Sequence, residues 1–359
     1  MLRLMFTNIL NFVRNLKQGK DRNQGKNKTI KNKKVLQIKL DDIKSPLKND
    51  LQDFDRFFNG ILKSDVKLLD TILRYVVRRK GKQIRPLLVL LSAAMNGGVS
   101  EKSFRGAALI ELLHTATLVH DDVVDDSFER RGVFSINALW KNKTAVLIGD
   151  YLLSRGMLLA LTNKDYDYLQ ITSEAVKIMS EGELLQIEKA RTLDIKEDVY
   201  FDIIRMKTAS LISAACGIGA ASASAEEQSV ESMKRFGEFL GIAFQIKDDL
   251  LDFATTVTGK PQGGDLKEKK LTLPLIFALQ KSEKKQRKEI INLIARQGKL
   301  KETYNRVRAF IQENGGFDYA EQKMKEYANK AKVELDGYGD SDYKTSLLYF
   351  VDFNTNRDK

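Results

Sequence analysis

LVHDDVVDDSFERRG at residues 118–132 and FQIKDDLLDF at residues 244–253 repeat one design: two adjacent aspartates, then a third three positions on, inside otherwise apolar sequence. Asp121/Asp125 and Asp248/Asp252 are four apart, the spacing that stacks side chains on one face of a helix, one turn from each other. Two carboxylates about 4 Å apart repel by roughly 1 kcal/mol in water and about 4 kcal/mol at an effective dielectric near 20. Such pairs require a cation. Hard donors that are all oxygen, with no His or Cys among them, favour Mg²⁺, which keeps several waters and bridges carboxylates to phosphates. A single cluster of this kind reads equally as an exposed acidic helix face. Two copies flanked by Leu, Val, Ile and Phe do not, because surface helices do not enclose their acids in apolar residues on both sides.

Outward from these clusters the chain reads as helix after helix from about residue 47, without long alternating strand patterns and without a repeat of fixed period. Helices are expected near 50–58, 64–79, 86–96, 101–125, 143–162, 166–190, 197–222, 226–255, 272–281, 284–297, 300–313, 317–335 and 341–351. The prolines Pro46, Pro86, Pro261 and Pro274 fall at the boundaries. The expected fold is therefore all-α, a helical bundle around a central cavity. Each acidic cluster ends a long apolar helix, which gives the bundle a polar mouth and an apolar depth. Gly237 and Gly241 sit inside one of those helices, where each costs about 1 kcal/mol relative to alanine, so they predict close approach of a neighbouring helix.

Composition narrows the class. With 359 residues and 43% hydrophobic content the chain is a soluble globular type, and no apolar run reaches the ~18 residues of a membrane span. The one cysteine, Cys216, lies in the small-residue run AACGIGAASASA, forbids an intramolecular disulfide, and reads as a packing thiol suited to a reducing cytoplasm. The net charge of +12 is concentrated: residues 1–38 hold ten Lys/Arg against Asp21, which leaves +3 for residues 39–359. That distribution, without zinc-ligand spacing or a basic recognition helix, argues against nucleic acid as a partner. Residues 1–38 read as a basic N-terminal extension, amphipathic over 1–16 and then Lys/Asn/Gln-rich. It is either disordered or able to make peripheral membrane contact with an anionic surface, and residues 39–359 form the helical domain.

Between and beyond the acids lie GKQIRP (81–86), FERRG (128–132), MKTAS (206–210) and TGKPQGGDLKEKKLTLP (258–274). Arg offers planar bidentate donors and Lys offers point charges, the set that diphosphate groups need beside metal-binding carboxylates. In this order the motifs resemble those of the trans-polyprenyl diphosphate synthases over about residues 45–355. One position departs from the pattern: Lys269 stands where the family usually has glycine, with Lys270 aligned to the family lysine.

The resemblance implies a Mg²⁺-dependent prenyltransferase that condenses isopentenyl diphosphate with an allylic diphosphate primer. In it, Asp121, Asp125 and Asp248 would ligate the metal, with Asp122, Asp249 and Asp252 as further or water-mediated ligands. Arg130, Lys207 and Lys260 would complete the clamp on the primer, joined by Lys270. Lys82, Arg85, His114 and Arg131 would hold isopentenyl diphosphate. Thr208 and Gln245 would aim oxygen dipoles at the allylic cation, although a helix threonine commonly bonds a preceding carbonyl instead. His120, beside the acids but without a match in the family pattern, reads as a residue supporting the site from behind. Ala116 and Thr117, one turn below Asp121, are small where short-product enzymes carry aromatic plugs. This resembles the long-chain, octaprenyl-type class, with products of about C35–C40 of the kind that become quinone side chains. A homodimer is implied as well. The alternatives are a short-chain farnesyl or geranylgeranyl diphosphate synthase, a non-catalytic subunit of a heteromeric synthase, and a terpene cyclase; the last two are disfavoured by the complete acidic and KT motifs and by GKQIRP.

Overall fold

The computed structural model describes residues 38–78, 81–130, 132–193, 196–254, 263–297 and 300–357. The basic extension, all but its last residue, lies outside the described residues, as do Arg131 and Lys260. The described helices are α1 (Leu40–Lys44), α2 (Lys48–Ile61), α3 (Lys67–Arg78), α4 (Ile84–Met95), α5 (Glu101–Val124), α6 (Ile136–Thr162), α7 (Tyr166–Thr192) and α8 (Glu197–Ser222). They continue with α9 (Glu227–Asp252), α10 (Gly264–Lys267), α11 (Leu273–Lys281), α12 (Lys284–Gln297), α13 (Lys301–Glu313), α14 (Gly316–Val333) and α15 (Asp342–Asn356). Between α5 and α6 a minimal antiparallel hairpin pairs Glu129 with Phe134 and Arg130 with Val133. Its turn includes Gly132 at φ +75°, a conformation that costs glycine nothing and a side-chain-bearing residue about 1–2 kcal/mol. The FERRG motif thus supplies the first strand and part of the turn of the only hairpin among the described residues, and the architecture is all-α.

Apolar patterning explains the layering. In α4 every residue from Pro86 to Ala93 is buried, as expected of a helix that is hydrophobic all round. It packs against α5, α8 and α15, while α8 also packs on α5, α7 and α9, and α9 continues the contact to α14. Truncating one of the fully buried leucines of α4, such as Leu90, would cost about 2–5 kcal/mol. Gly237 and Gly241 behave as their sequence positions predict: a Cβ at Gly237 would lie 2.7 Å from the Ile212 carbonyl, and one at Gly241 2.6 Å from Ala209 Cα. Their absence of side chains lets α9 press onto the backbone of α8, directly beside the KT residues. Cys216 is fully buried, and burial pushes its thiol up to about 12, in keeping with a packing role.

Two sequence expectations are corrected. The helix expected from 143 begins at Ile136, because the non-helical backbone of Lys141 (φ 71°, ψ 160°) interrupts a longer element. The short helices α1 and α10 were not anticipated. Apart from these, two helices, Ile136–Thr162 and Glu197–Ser222, are long and apolar enough to span a membrane by length and composition, while the expectation that no uninterrupted apolar run reaches a span is unaffected. The second is two-thirds buried as a core helix, whereas the first is one-third buried and exposes Leu139, Val146, Leu147, Met157, Leu158 and Leu161.

Candidate active site

Both acidic clusters sit at helix C-termini, and neither helix has a basic residue in its last turn. A helix C-terminus carries the negative end of the macrodipole, so carboxylates there are opposed by the backbone as well as by each other. Asp125 is the C-cap of α5, its amide donating to the Asp121 carbonyl at 2.8 Å. Asp121 and Asp125 are exposed, while Asp122 is buried and its carbonyl accepts from Asn137 Nδ2 at 3.0 Å. Partial desolvation and the Glu268 carboxylate raise the pKa of Asp125, opposed by the charges of Lys270 and Lys207. The first cluster therefore faces α8 and the segment after α10.

The second cluster is braced from several sides. Asp248 Oδ1 receives Arg357 Nη2 at 2.6 Å, and the Arg357 guanidinium lies 4.1 Å from the Phe244 ring centroid. Burial lowers the pKa of Arg357 despite that partner. Asp252 accepts from the Gly264 amide at 3.1 Å, and α13 caps the helix end through Tyr304 Oη on the Asp252 carbonyl and Arg308 Nε on the Phe253 carbonyl. Asp249 is buried; Tyr200 Oη donates to Oδ2 at 2.7 Å and Gln245 Nε2 to Oδ1 at 3.0 Å. Burial, reinforced by the Asp265 carboxylate, lifts Asp249 to about 8, and burial with Asp252 lifts Asp265 to about 6. Asp265 is an acidic residue of this end that sequence reasoning missed, although GGD in the quoted 258–274 stretch contained it.

Lys270 links the two sides. It pairs with Glu268, and its charge acts on both Asp125 and Asp265. Lys269 adopts φ +58°, the left-handed region that glycine enters without strain, so the departure from the family pattern falls on a backbone position with a physical preference for glycine. Lys207 pairs with Glu183 and donates to Gln186 Oε1 at 3.4 Å. Lys207 and Thr208 lie in a π-helical turn, Arg205–Ala209, inside α8, a local widening that is frequent at functional sites. Thr208 Oγ1 donates to Gln245 Oε1 at 2.9 Å rather than to a preceding carbonyl.

The remaining expected residues distribute around this end. On α5 the accessible stripe is His114, Thr117, Leu118 and Asp121, at helical spacing. Ala116 is fully buried, while Thr117, four residues before Asp121, is half-buried on the same side as that aspartate. His120 faces α6, with Nε2 3.3 Å from the Val146 carbonyl and 3.5 Å from Asp150. Arg85 lies in the first turn of α4 and Lys82 just before its N-cap, with Lys82 Nζ 5.8 Å from the Phe353 ring centroid of α15. Arg130 is in the hairpin.

Among the described residues no three His, Cys, Asp or Glu side chains converge as a ready-made cage. The donor set nonetheless fits a hard divalent cation. It is all oxygen, stands at two negative helix ends, and includes carboxylates whose pKa values are raised by desolvation, reinforced by neighbouring acids. A cation held this way would complete its shell with water and ligand oxygens.

The comparisons agree with this geometry. The polyprenyl synthetase family model matches residues 66–311. The all-trans-nonaprenyl-diphosphate synthase (geranyl-diphosphate specific) of Rhodobacter capsulatus is 38% identical over 310 residues, covering 86% of this chain and 94% of its own. The octaprenyl diphosphate synthase of Escherichia coli is 35% identical over 300 residues, 83% of this chain and 93% of its own. The crystal structure of a polyprenyl synthase from Caulobacter crescentus CB15, complexed with calcium and isoprenyl diphosphate, aligns with a TM-score of 0.83 at 32% identity, covering 90% of this chain and 99% of that one. Motif order, helical architecture and these likenesses together make the chain a member of the polyprenyl synthetase family.

Proposed function

We propose that the protein is a long-chain trans-polyprenyl diphosphate synthase, adding isopentenyl diphosphate units to an allylic diphosphate until a product of about C35–C40 is reached. The observation that carries this reading is Lys270 set between Asp125 of α5 and Asp265 of the α9–α10 end, with Lys207 on the Asp125 side, since alternating carboxylates and lysines suit a metal-bound diphosphate and little else. The names of the relatives support the long product class.

Mg²⁺ would be held by Asp121, Asp125 and Asp248, with Asp252 nearby, and when bound supplies Lewis-acid stabilisation of the departing diphosphate. The chain's own groups do the rest. Lys207 and Lys270, with Arg130 and Lys260, neutralise the primer's diphosphate as its C–O bond ionises. Gln245 and Thr208 turn oxygen lone pairs toward the allylic cation, which lowers its energy without trapping it covalently. Lys82, Arg85, His114 and Arg131 hold isopentenyl diphosphate so that its double bond attacks the cation, and the released diphosphate is positioned to take the final proton. Asp249, with both oxygens engaged by Tyr200 and Gln245, serves as an internal acceptor rather than a ligand. Chromatography of products from radiolabelled isopentenyl diphosphate with farnesyl diphosphate as primer tests the assignment. A C15–C20 product, or none, would overturn it.

The exposed apolar side of α6 suits burial against a second copy, giving a homodimer; a monomer mass by light scattering at micromolar concentration would contradict this. The cytoplasm is the fitting compartment. The Lys/Arg-rich residues 1–38 suit contact with an anionic bilayer, so their deletion should reduce co-sedimentation with anionic vesicles while preserving activity in detergent, and equal sedimentation would refute the contact.

A further inference from the structure

Tyr200 lies in α8, two turns before Lys207 and outside every motif quoted from the sequence. It is 4% exposed, and its ring meets Phe201 edge-on at 5.4 Å. Its hydroxyl begins a chain of donors: Tyr200 Oη to Asp249 Oδ2 at 2.7 Å, Gln245 Nε2 to Asp249 Oδ1 at 3.0 Å, and Thr208 Oγ1 to Gln245 Oε1 at 2.9 Å. With Tyr200 Oη and Gln245 Nε2 both donating to it, the Asp249 carboxyl acts as the acceptor at both oxygens. Asp249 therefore dictates the sense of the Gln245 amide, with the NH₂ toward the acid and the oxygen toward Thr208. A primary amide is nearly symmetric in shape, so without such a partner it turns over at little steric cost and presents its positive NH₂ end instead.

We propose that Tyr200 is a positioning residue for the condensation: by holding Asp249 from the side opposite Gln245 it fixes the direction of the Gln245 and Thr208 dipoles at the allylic cation. The inference rests on the proposed role of those two residues. The bond joins two buried groups that contact no substrate in the proposed role, so its effect is on the transition state that the dipoles serve and not on substrate affinity. An interaction of this type lowers kcat and kcat/KM together and leaves KM alone.

The test is Tyr200→Phe, which keeps the buried ring and removes the donor, assayed in the wild-type and Gln245→Leu backgrounds with kcat, both KM values and thermal midpoint recorded. Loss of the donor leaves a buried acceptor unsatisfied and is expected to lower kcat roughly tenfold or more, with KM within about twofold. In the Gln245→Leu background, where no amide remains to orient, the same change should alter kcat by less than about twofold, because residues acting as a unit are non-additive. Asp249→Asn serves as a second variant and should reproduce the kcat loss at unchanged KM. Equal kcat losses in both backgrounds, or wild-type kcat in Tyr200→Phe or Asp249→Asn, would overturn the positioning role. Wild-type kcat in Gln245→Leu alone would instead remove the premise about Gln245, an outcome distinct from failure of the Tyr200 link.

Discussion

The two aspartate clusters share a spacing and a place at a helix end, yet the fold treats their side chains differently. Asp121 and Asp125 stand exposed at the lip of α5 and Asp122 turns inward. On α9, Asp248 is tied to Arg357, Asp252 to the Gly264 amide, and Asp249 is enclosed between Tyr200 and Gln245. The first cluster is an open lip; the second is a braced wall. Spacing decides which acids share a face, and packing decides which oxygens remain available to a ligand.

The widest consequence is for turnover. Replacing Asp121 or Asp248 by Ala should each lower kcat by about 10²–10³-fold, the scale seen when a charge-stabilising group is removed from a transition state, with the fold retained by circular dichroism. Near-normal turnover in either variant would mean that the two clusters are not both part of the site. Next comes product length, which depends on the stripe below the open lip. Thr117→Phe places a ring on the accessible face one turn beneath Asp121, and the product should shorten to about C15–C20, because an overfilled passage costs about 1–3 kcal/mol that a growing tail avoids by leaving. An unchanged product on thin-layer chromatography would remove this face from the path of the tail. The smallest effect concerns the brace. Arg357→Ala frees Asp248 from a competing cation, and a pair of this kind contributes up to about 1 kcal/mol, so half-saturation by Mg²⁺ should fall by up to about fivefold. A rise in the Mg²⁺ requirement would mean that Arg357 assists ligand binding instead of competing with the metal.

The all-α fold and the placing of both clusters were legible because helical periodicity and apolar flanks are local signals. Gly237 and Gly241 were legible for the same reason, since a glycine in a helix interior needs a compensating neighbour. The brace was not. Arg357 lies 109 residues from Asp248 and Tyr200 lies 49 from Asp249, and neither belongs to a motif, so only the packing of α8 and α15 against α9 brings them together. The orientation of α5 was half legible. Ala116 and Thr117 are neighbours in sequence, and the offset of four from Asp121 against five separates the half-buried Thr117 from the fully buried Ala116. The left-handed backbone at Lys269 was foreshadowed only by its departure from the glycine of related chains.

The central claim is that the lip and the wall serve one diphosphate through one pool of metal charge. Calorimetric titration of inorganic diphosphate into the full-length protein, with and without Mg²⁺, tests it most directly when wild type, Asp121→Ala and Asp248→Ala are compared. The account predicts Mg²⁺-dependent binding by the wild type and a loss of at least about tenfold in affinity in each variant, the scale expected when metal ligation is impaired. Binding that is indifferent to Mg²⁺, or that survives at wild-type strength when either cluster is broken, would contradict it.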